Sequence, residues 1–197
     1  MAQWPTRYNI MAQQPHILLI LTDHWRGDCL GRLKHPVADT PHLDSLSARG
    51  TTFTRAYTPC PSCIAARRSL MTGQRPSSQG MVGYQDGKPW DYPHTLAGEL
   101  TKAGYQTVNI GKTHFHPERK HLGFEQLTIS ADYEEWLGQQ PGVTVEKFAH
   151  GVPPNSWIGR PNHLPEHQLE ETYFVSRSLD FLTKRDPTRP FFLTLSF

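Results

Sequence analysis

The sequence has no long hydrophobic run. Its longest apolar stretch, Ile17 to Leu21, is far shorter than the roughly 20 residues that a membrane-crossing helix needs. The opening residues, Met1-Ala2-Gln3-Trp4-Pro5-Thr6-Arg7, lack a basic segment followed by an apolar one. No secretory signal is read there, and a cytoplasmic location is the expectation. An excess of one charge is also missing. The formal net charge is +2, with Lys and Arg scattered, which argues against a nucleic-acid partner and against a membrane-surface helix. Cysteine is scarce: three residues, an odd number, do not make a complete disulfide framework. There is no internal repeat and no low-complexity tract.

What is present is turn-rich. Seventeen Pro and fifteen Gly predict many turns and long connections, and eleven His is a high count for 197 residues. The length suffices for one domain with a sizeable core. Met11-Ala12-Gln13 repeats Met1-Ala2-Gln3, so residues 1–13 read as an N-terminal extension and 14–197 as the folded unit. His16 to Thr22 reads as a buried parallel strand, being continuous, branched and short. Thr40 is placed as an N-cap with Pro41 at the first helical position, and Gly50 ends that helix. Thr51 to Tyr57 alternates and is predicted as a strand. A helix follows from Cys63 to a stop at Gly73. Residues 74–93 are loop-rich. A helix over about Thr95 to Ala103 precedes a second core strand, Tyr105 to Ile110. Residues 117–165 read as irregular. Glu166 to Lys184 is predicted as an amphipathic helix bearing Leu169, Tyr173, Phe174, Leu179 and Phe181. Phe191 to Phe197 is the last strand. The alternation of strands and helices predicts an α/β fold with a largely parallel sheet flanked by helices. The chain stops inside that last strand, so residues 14–197 are expected to be the N-terminal part of a larger domain.

Three groups of residues carry chemistry. In an open α/β sheet, ligands gather at the carboxyl ends of strands. Asp23, at the end of the first strand, is well placed to hold a hard cation through oxygen; the bland alternative is an Asp that caps a turn. Asp28 is expected to stabilise the loop. Cys63 opens a helix, where free N–H groups and the dipole favour negative charge, and Arg67 lies one turn along on the same face. That pair suits an anion or an oxyanion. Arg68, one position further on, is expected to point outward. Lys112 leaves a strand end beside Gly111, where a point charge suits a tetrahedral oxyanion, and His114 is available to bind the same anion or relay a proton. His116 is read as substrate-side or structural. Trp25, Tyr84, Trp90 and Trp136 either line a pocket or pack.

These same residues carry a resemblance. The run Cys63-Ile64-Ala65-Ala66-Arg67-Arg68-Ser69-Leu70-Met71-Thr72-Gly73 resembles the sulfatase signature C-x-A-x-R-x-x-L-x-T-G. Gly104-Tyr105-Gln106-Thr107 through Gly111-Lys112-Thr113-His114 resembles the second signature of that family, G-Y-x-T-x-x-x-G-K-x-H. Ile17 to Asp23, followed by Arg26, Asp28, Leu30 and Gly31 and then by Thr40-Pro41-His42-Leu43-Asp44, is similar to the family's opening. The resemblance covers residues 14–130 by motif and 170–197 by pattern. It implies an alkaline-phosphatase-like sandwich and hydrolysis of sulfate monoesters, of small molecules or of carbohydrates. It implies that a maturase oxidises Cys63 to formylglycine, whose hydrate attacks sulfur and then expels sulfate. A single-hydroxyl nucleophile has no second hydroxyl for that last step. Asp23 and position 63 are implied ligands of Ca²⁺ or Mg²⁺, with His24 standing where a second Asp ligand is common. Arg67 would hold the hydrated aldehyde, while Lys112 and His114 would neutralise the sulfuryl oxygens. Further metal ligands, a second Lys and the leaving-group His lie later in such chains, so these 197 residues alone are expected to be inactive.

Two other readings stay open at this level. One is a phosphonate monoester or phosphodiester hydrolase of the same superfamily, which shares the metal, the aldehyde and the tetrahedral anion. The other is a non-catalytic metal or thiol module built on Cys60-Pro61-Ser62-Cys63. The oligomeric state is not legible.

Overall fold

The computed structural model describes residues 14–143, 149–152 and 156–197. The predicted extension, 1–13, lies outside them. The elements run β1 (Ile17–Leu21), α1 (Pro41–Arg49), α2 (Cys63–Thr72), α3 (Pro76–Gln79), α4 (Leu96–Lys102), β2 (Gln106–Gly111), β3 (Gln126–Thr128), α5 (Ser130–Gly138), α6 (Glu170–Lys184) and β4 (Phe191–Ser196). The four strands form one sheet in the order β1-β4-β2-β3, and every pair is parallel.

The two central strands explain why the sheet forms. All six residues of β2 and all six of β4 are buried. Successive side chains point to opposite faces, so each strand supplies both sides of the sheet. On one face Phe192 packs with Ile64, Met71, Trp90, Phe115 and Phe124. On the other, Val108, Ile110, Leu193 and Leu195 meet Tyr133 and Leu137 of α5 and Tyr173 and Phe174 of α6. The result is three layers, with α2 and α4 on one side and α5 and α6 on the other.

Several expectations are revised. The last strand, β4, lies between β1 and β2 with neighbours on both sides. β1 is one of the two edges, with β3 the other, and it is not buried on both faces: Leu18 and Ile20 are about half exposed, at 50% and 49%, while Ile17 and Leu19 pack inward. The alternating run 51–57 forms no strand. Phe53 and Tyr57 stand in solvent, and no neighbouring strand among the described residues pairs with them. Residues 117–165 are not wholly irregular, because β3 and α5 lie there. Asp132 starts α5 by accepting the Ile129 amide at 2.7 Å. The helix predicted from Glu166 is broken at Leu169, whose backbone is extended, and Leu179 is 59% exposed rather than packed. Thr40 does not cap its helix with its side chain. Its Oγ1 instead accepts the Gly31 amide at 2.9 Å and bonds Asp44 Oδ1 at 3.1 Å.

The largest revision concerns Arg68. It is 1% exposed, not solvated. The loop before α4 wraps the side of α2 that periodicity left open. There the guanidinium lies 4.7 Å from the Trp90 ring centre and 5.7 Å from that of Tyr92. Nη1 donates to Tyr92 Oη at 2.8 Å, and Nη2 donates to the carbonyls of Lys88 and Pro89. No carboxylate is recorded beside it among the described residues, so aromatic faces and carbonyl dipoles hold this cation. Trp90 in turn packs 4.8 Å from Phe115, and its amide donates to His116 O at 2.9 Å. Arg68 therefore ties α2 to the segment after β2.

Gly111 closes β2 with φ +100°, and a Cβ there would stand 1.8 Å from Ser196 O. Backbone meets backbone at this point, so no side-chain movement relieves the clash. Gly111→Ala is expected to destabilise the fold by about 3 kcal/mol or more, read as a lowered urea midpoint. Arg68→Ala takes the donor from the carbonyls of Lys88 and Pro89 and opens a cavity beneath Trp90 and Tyr92. It is expected to cost about 3 kcal/mol, with Arg68→Lys restoring only part because an ammonium lacks the planar fork.

Candidate functional site

Three parallel strands end at one edge of the sheet. Asp23 follows β1, Lys112 follows β2, and Ser196 closes β4. Lys112 N donates to Ser196 O and Phe197 N to Leu21 O, both at 2.9 Å, so the three ends are laced together. The N-terminus of α2 comes to the same edge and brings Cys63.

Arg67 fixes that approach. It is 8% exposed, and Nη1 donates to Lys112 O at 2.8 Å and to Ser196 Oγ at 2.8 Å. Both of those bonds use Nη1, so Nε and Nη2 take no part in them. Burial pushes its pKa down from 12.5, with Asp23 and Cys63 pulling it back up. It stays a cation. The expected link between Arg67 and position 63 is thus electrostatic here, while its hydrogen bonds go to the strand ends. Ser196 was not singled out in the sequence. Its position as the last residue of a core strand was the available signal.

Asp23, His24 and Cys63 each offer one ligand atom, and these atoms lie within 4.8 Å of one another. His24 adopts φ +51°, a left-handed turn that swings its ring so that Nε2 lies 3.8 Å from Cys63 Sγ. Asp23 Oδ2 accepts Lys112 Nζ at 2.9 Å. Burial alone would raise the Asp23 carboxyl. The bond to Lys112 and the charges of Lys112, His24 and Arg67 outweigh it and hold the group below 3.8. Lys112, expected to face an oxyanion, is therefore paired with the expected metal ligand. As encoded, the three donors are oxygen, nitrogen and sulfur, a borderline set. An aldehyde hydrate at position 63 would replace sulfur with oxygen and move the set toward hard cations.

His114 also adopts a left-handed backbone, φ +55°. Burial, then the Lys112 charge, then Arg67 hold its pKa below 6.5, against the opposing pull of Asp86 and Asp23. Its Nδ1 is buried without a partner. Tyr84 stands edge-on to its ring at 6.0 Å. Asp86 and Tyr84 as neighbours of His114 were not foreseen, because the contact joins loops some thirty residues apart.

Two cavities open here. The larger, about 830 Å³, is lined by Asp23, His24, Trp25, Tyr57, Cys63 and Arg67 among others. A smaller one, about 340 Å³, is lined by Asp86, Lys112, His114, His116 and Glu118 with neighbouring residues. Of the aromatic candidates, Trp25 lines the larger cavity, while Trp90 and Trp136 pack. Asp28 pairs with Arg26 at 2.6 Å in an exposed loop, as a stabiliser of that loop. The C-x-x-C reading is not assembled. All three cysteines are free, Cys60 Sγ donates to Val82 O at 3.6 Å, and Cys60 is outside the Asp23–His24–Cys63 cluster.

The sulfatase family model matches residues 15–197. An arylsulfatase of Clostridium perfringens is 40% identical over 205 residues, covering 93% of this chain and 43% of its own length. A choline-sulfatase of Rhizobium meliloti is 29% identical, covering 93% of this chain and 38% of its own. The crystal structure of the phosphonate monoester hydrolase of Agrobacterium radiobacter superposes with a TM-score of 0.76 at 24% identity, over 93% of this chain and 40% of that one. That is a likeness of fold, and it places the three-layer sheet in the alkaline-phosphatase-like class. The chain spans about 40% of the length of the relatives it matches. With its family model matched along almost its whole length, the chain belongs to the sulfatase family.

Proposed function

We propose that this chain carries the nucleophile-bearing half of a sulfuric ester hydrolase, with Cys63 matured to formylglycine by a dedicated maturase. The observation that supports this most directly is the convergence of Asp23, His24 and Cys63 within 4.8 Å at the N-terminus of α2, backed by the buried Arg67. The relatives named arylsulfatase and choline-sulfatase support the sulfate ester as substrate class. Formylglycine would supply a hydrate with two hydroxyls, one to attack sulfur and one to release sulfate. Asp23, His24 and position 63 would hold a divalent cation, Ca²⁺ or Mg²⁺, which would polarise the sulfuryl oxygens.

The remaining work falls to this chain's side chains. Arg67, anchored from behind by Ser196 Oγ and Lys112 O, keeps its charge at the base of the site without reorganising. Lys112 provides a second positive charge and reaches Asp23 as well. His114, held neutral near pH 7 by burial and Lys112, is competent to accept one proton and to donate a hydrogen bond to an ester oxygen. The dipole of α2 adds to the anion preference at position 63.

The likeness in fold to a phosphonate monoester hydrolase gives a second reading with the same residues. The full-length protein is expected to hydrolyse an aryl sulfate with a higher kcat/KM than the matching aryl phosphonate; the reverse order selects the second reading. A peptide mass spectrum across Thr58 to Arg67, from protein made in its native host, is expected to show the aldehyde mass at position 63; an unmodified thiol overturns the maturation. Cys63→Ser, checked by mass to be unmodified, is expected to lose multiple turnover, because one hydroxyl attacks but none remains to expel sulfate.

His114 gives a pH test. Its folded pKa lies below 6.5, so the ring is neutral at pH 7 and gains its proton only on further acidification. Lys112→Met removes the second-largest depressing influence. The imidazole titration followed by NMR is expected to move up toward 6.5, and a titration that stays put or falls contradicts the assigned cause.

A further inference from the structure

The smaller cavity carries more information than its shared wall with the catalytic groups. Its lining joins Lys112 and His114, candidates for the reaction site, to Asp86, His116 and Glu118, which are exposed. Its volume of about 340 Å³ is at the small end of ligand pockets and accommodates a single sugar-sized ring. Tyr84, 59% exposed, presents an aromatic surface beside the His114 ring. The buried Nδ1 of His114 has no partner in the protein.

The charge here runs against the needs of an anionic substrate. Asp86 and Glu118 form no ion pair among the described residues, although cations are near them in sequence. Lys88 Nζ is spent on Gly80 O at 2.6 Å, Arg119 on Asp132 at 2.7 Å, and Lys120 on Asp91 at 3.6 Å. Asp86 Oδ1 accepts only its neighbouring Gly87 amide, at 2.8 Å. The cavity therefore holds two carboxylates whose acceptor capacity the protein leaves open, next to an aromatic face. Ionised carboxylates accept hydrogen bonds and donate none. They complement hydroxyl groups and repel a second sulfate or carboxylate.

We propose that this cavity is the subsite for the alcohol half of the ester, and that Asp86 and Glu118 select a hydroxyl-bearing alcohol without a further negative charge, such as a neutral monosulfated sugar. The proposal rests on the sulfate-ester reading of the adjoining site. Asp86 and Glu118 act on the leaving group, not on the sulfuryl oxygens, so their effect depends on the alcohol. The aromatic face of Tyr84 would cover the apolar side of the ring.

The test uses the full-length protein and its double variant Asp86→Asn, Glu118→Gln. Asn keeps an oxygen for the Gly87 amide, so the loop retains its bond. The probes are methyl glucoside 6-sulfate, a disulfated methyl glucoside, and 4-nitrophenyl sulfate, which has no hydroxyl. The variant is expected to lose roughly tenfold in kcat/KM on the monosulfated sugar, to gain on the disulfated one, and to stay within about twofold on 4-nitrophenyl sulfate. An equal change on all three probes, or none, overturns the proposal. Binding of unsulfated methyl glucoside, followed by saturation-transfer NMR, is the second arm and needs no turnover. Binding that the variant loses supports the subsite; binding equal in both proteins, or absent from the wild type, overturns it. A wild type that binds the sugar yet hydrolyses no sulfate ester overturns the reaction assigned to the site and leaves the subsite standing.

Discussion

The arrangement depends on one buried cation. Arg67 sits on α2 and donates from a single nitrogen to the end of β2 and the end of β4. That clamp ties α2 by direct polar contacts to two strand ends at once. A buried guanidinium is costly unless its bonds are satisfied. Here its bonding partners, a carbonyl and a hydroxyl, are fixed by the parallel ladder, so the cost of burial becomes positional precision for Cys63. The ladder can do this because all strands run the same way, which gathers every carboxyl end on one side.

Arg68 plays the complementary part on the opposite flank of the same helix. Two adjacent arginines thus point to different neighbours, one to strand ends and one to Trp90 and Tyr92. The first sets where the helix begins relative to Asp23. The second holds the loop that carries Tyr84 and Asp86 and, through Trp90 and Phe115, the segment bearing His114. Gly111 permits the whole assembly, because only a residue without a Cβ lets β2 end against Ser196 O. Electrostatics then divide the site. Arg67 and the helix dipole bring positive charge to the larger cavity beside the Asp23 carboxylate, and Asp86 and Glu118 bring negative charge to the smaller one.

Much of this was legible in the chain. The three motif segments were visible because each joins a periodic element to a turn residue, and short-range rules govern such junctions. Cys63 to Gly73 reads as a helix from its own composition, and Gly73 ends it in a left-handed conformation as its type allows. β4 reads as a strand because both faces are apolar or small, the mark of a central parallel strand. The failures share one cause. Arg68, Leu179 and the run 51–57 were assigned from local periodicity, which knows that a face exists but not what covers it. β3 and α5 were missed because a three-residue strand and a nine-residue helix with mixed polarity leave little periodic signal.

Sequence alone determined the family resemblance, the α/β class, the place of Cys63 at the start of a helix and the residue types around it, because local chemistry and spacing encode these. The tertiary structure decided the rest. It paired Lys112 with Asp23, turned Arg67 toward Ser196, put β4 in the middle of the sheet and brought Asp86 beside His114. Each of these joins segments tens of residues apart, and such contacts are fixed by how the layers pack, a property of the whole fold that no short stretch of sequence contains.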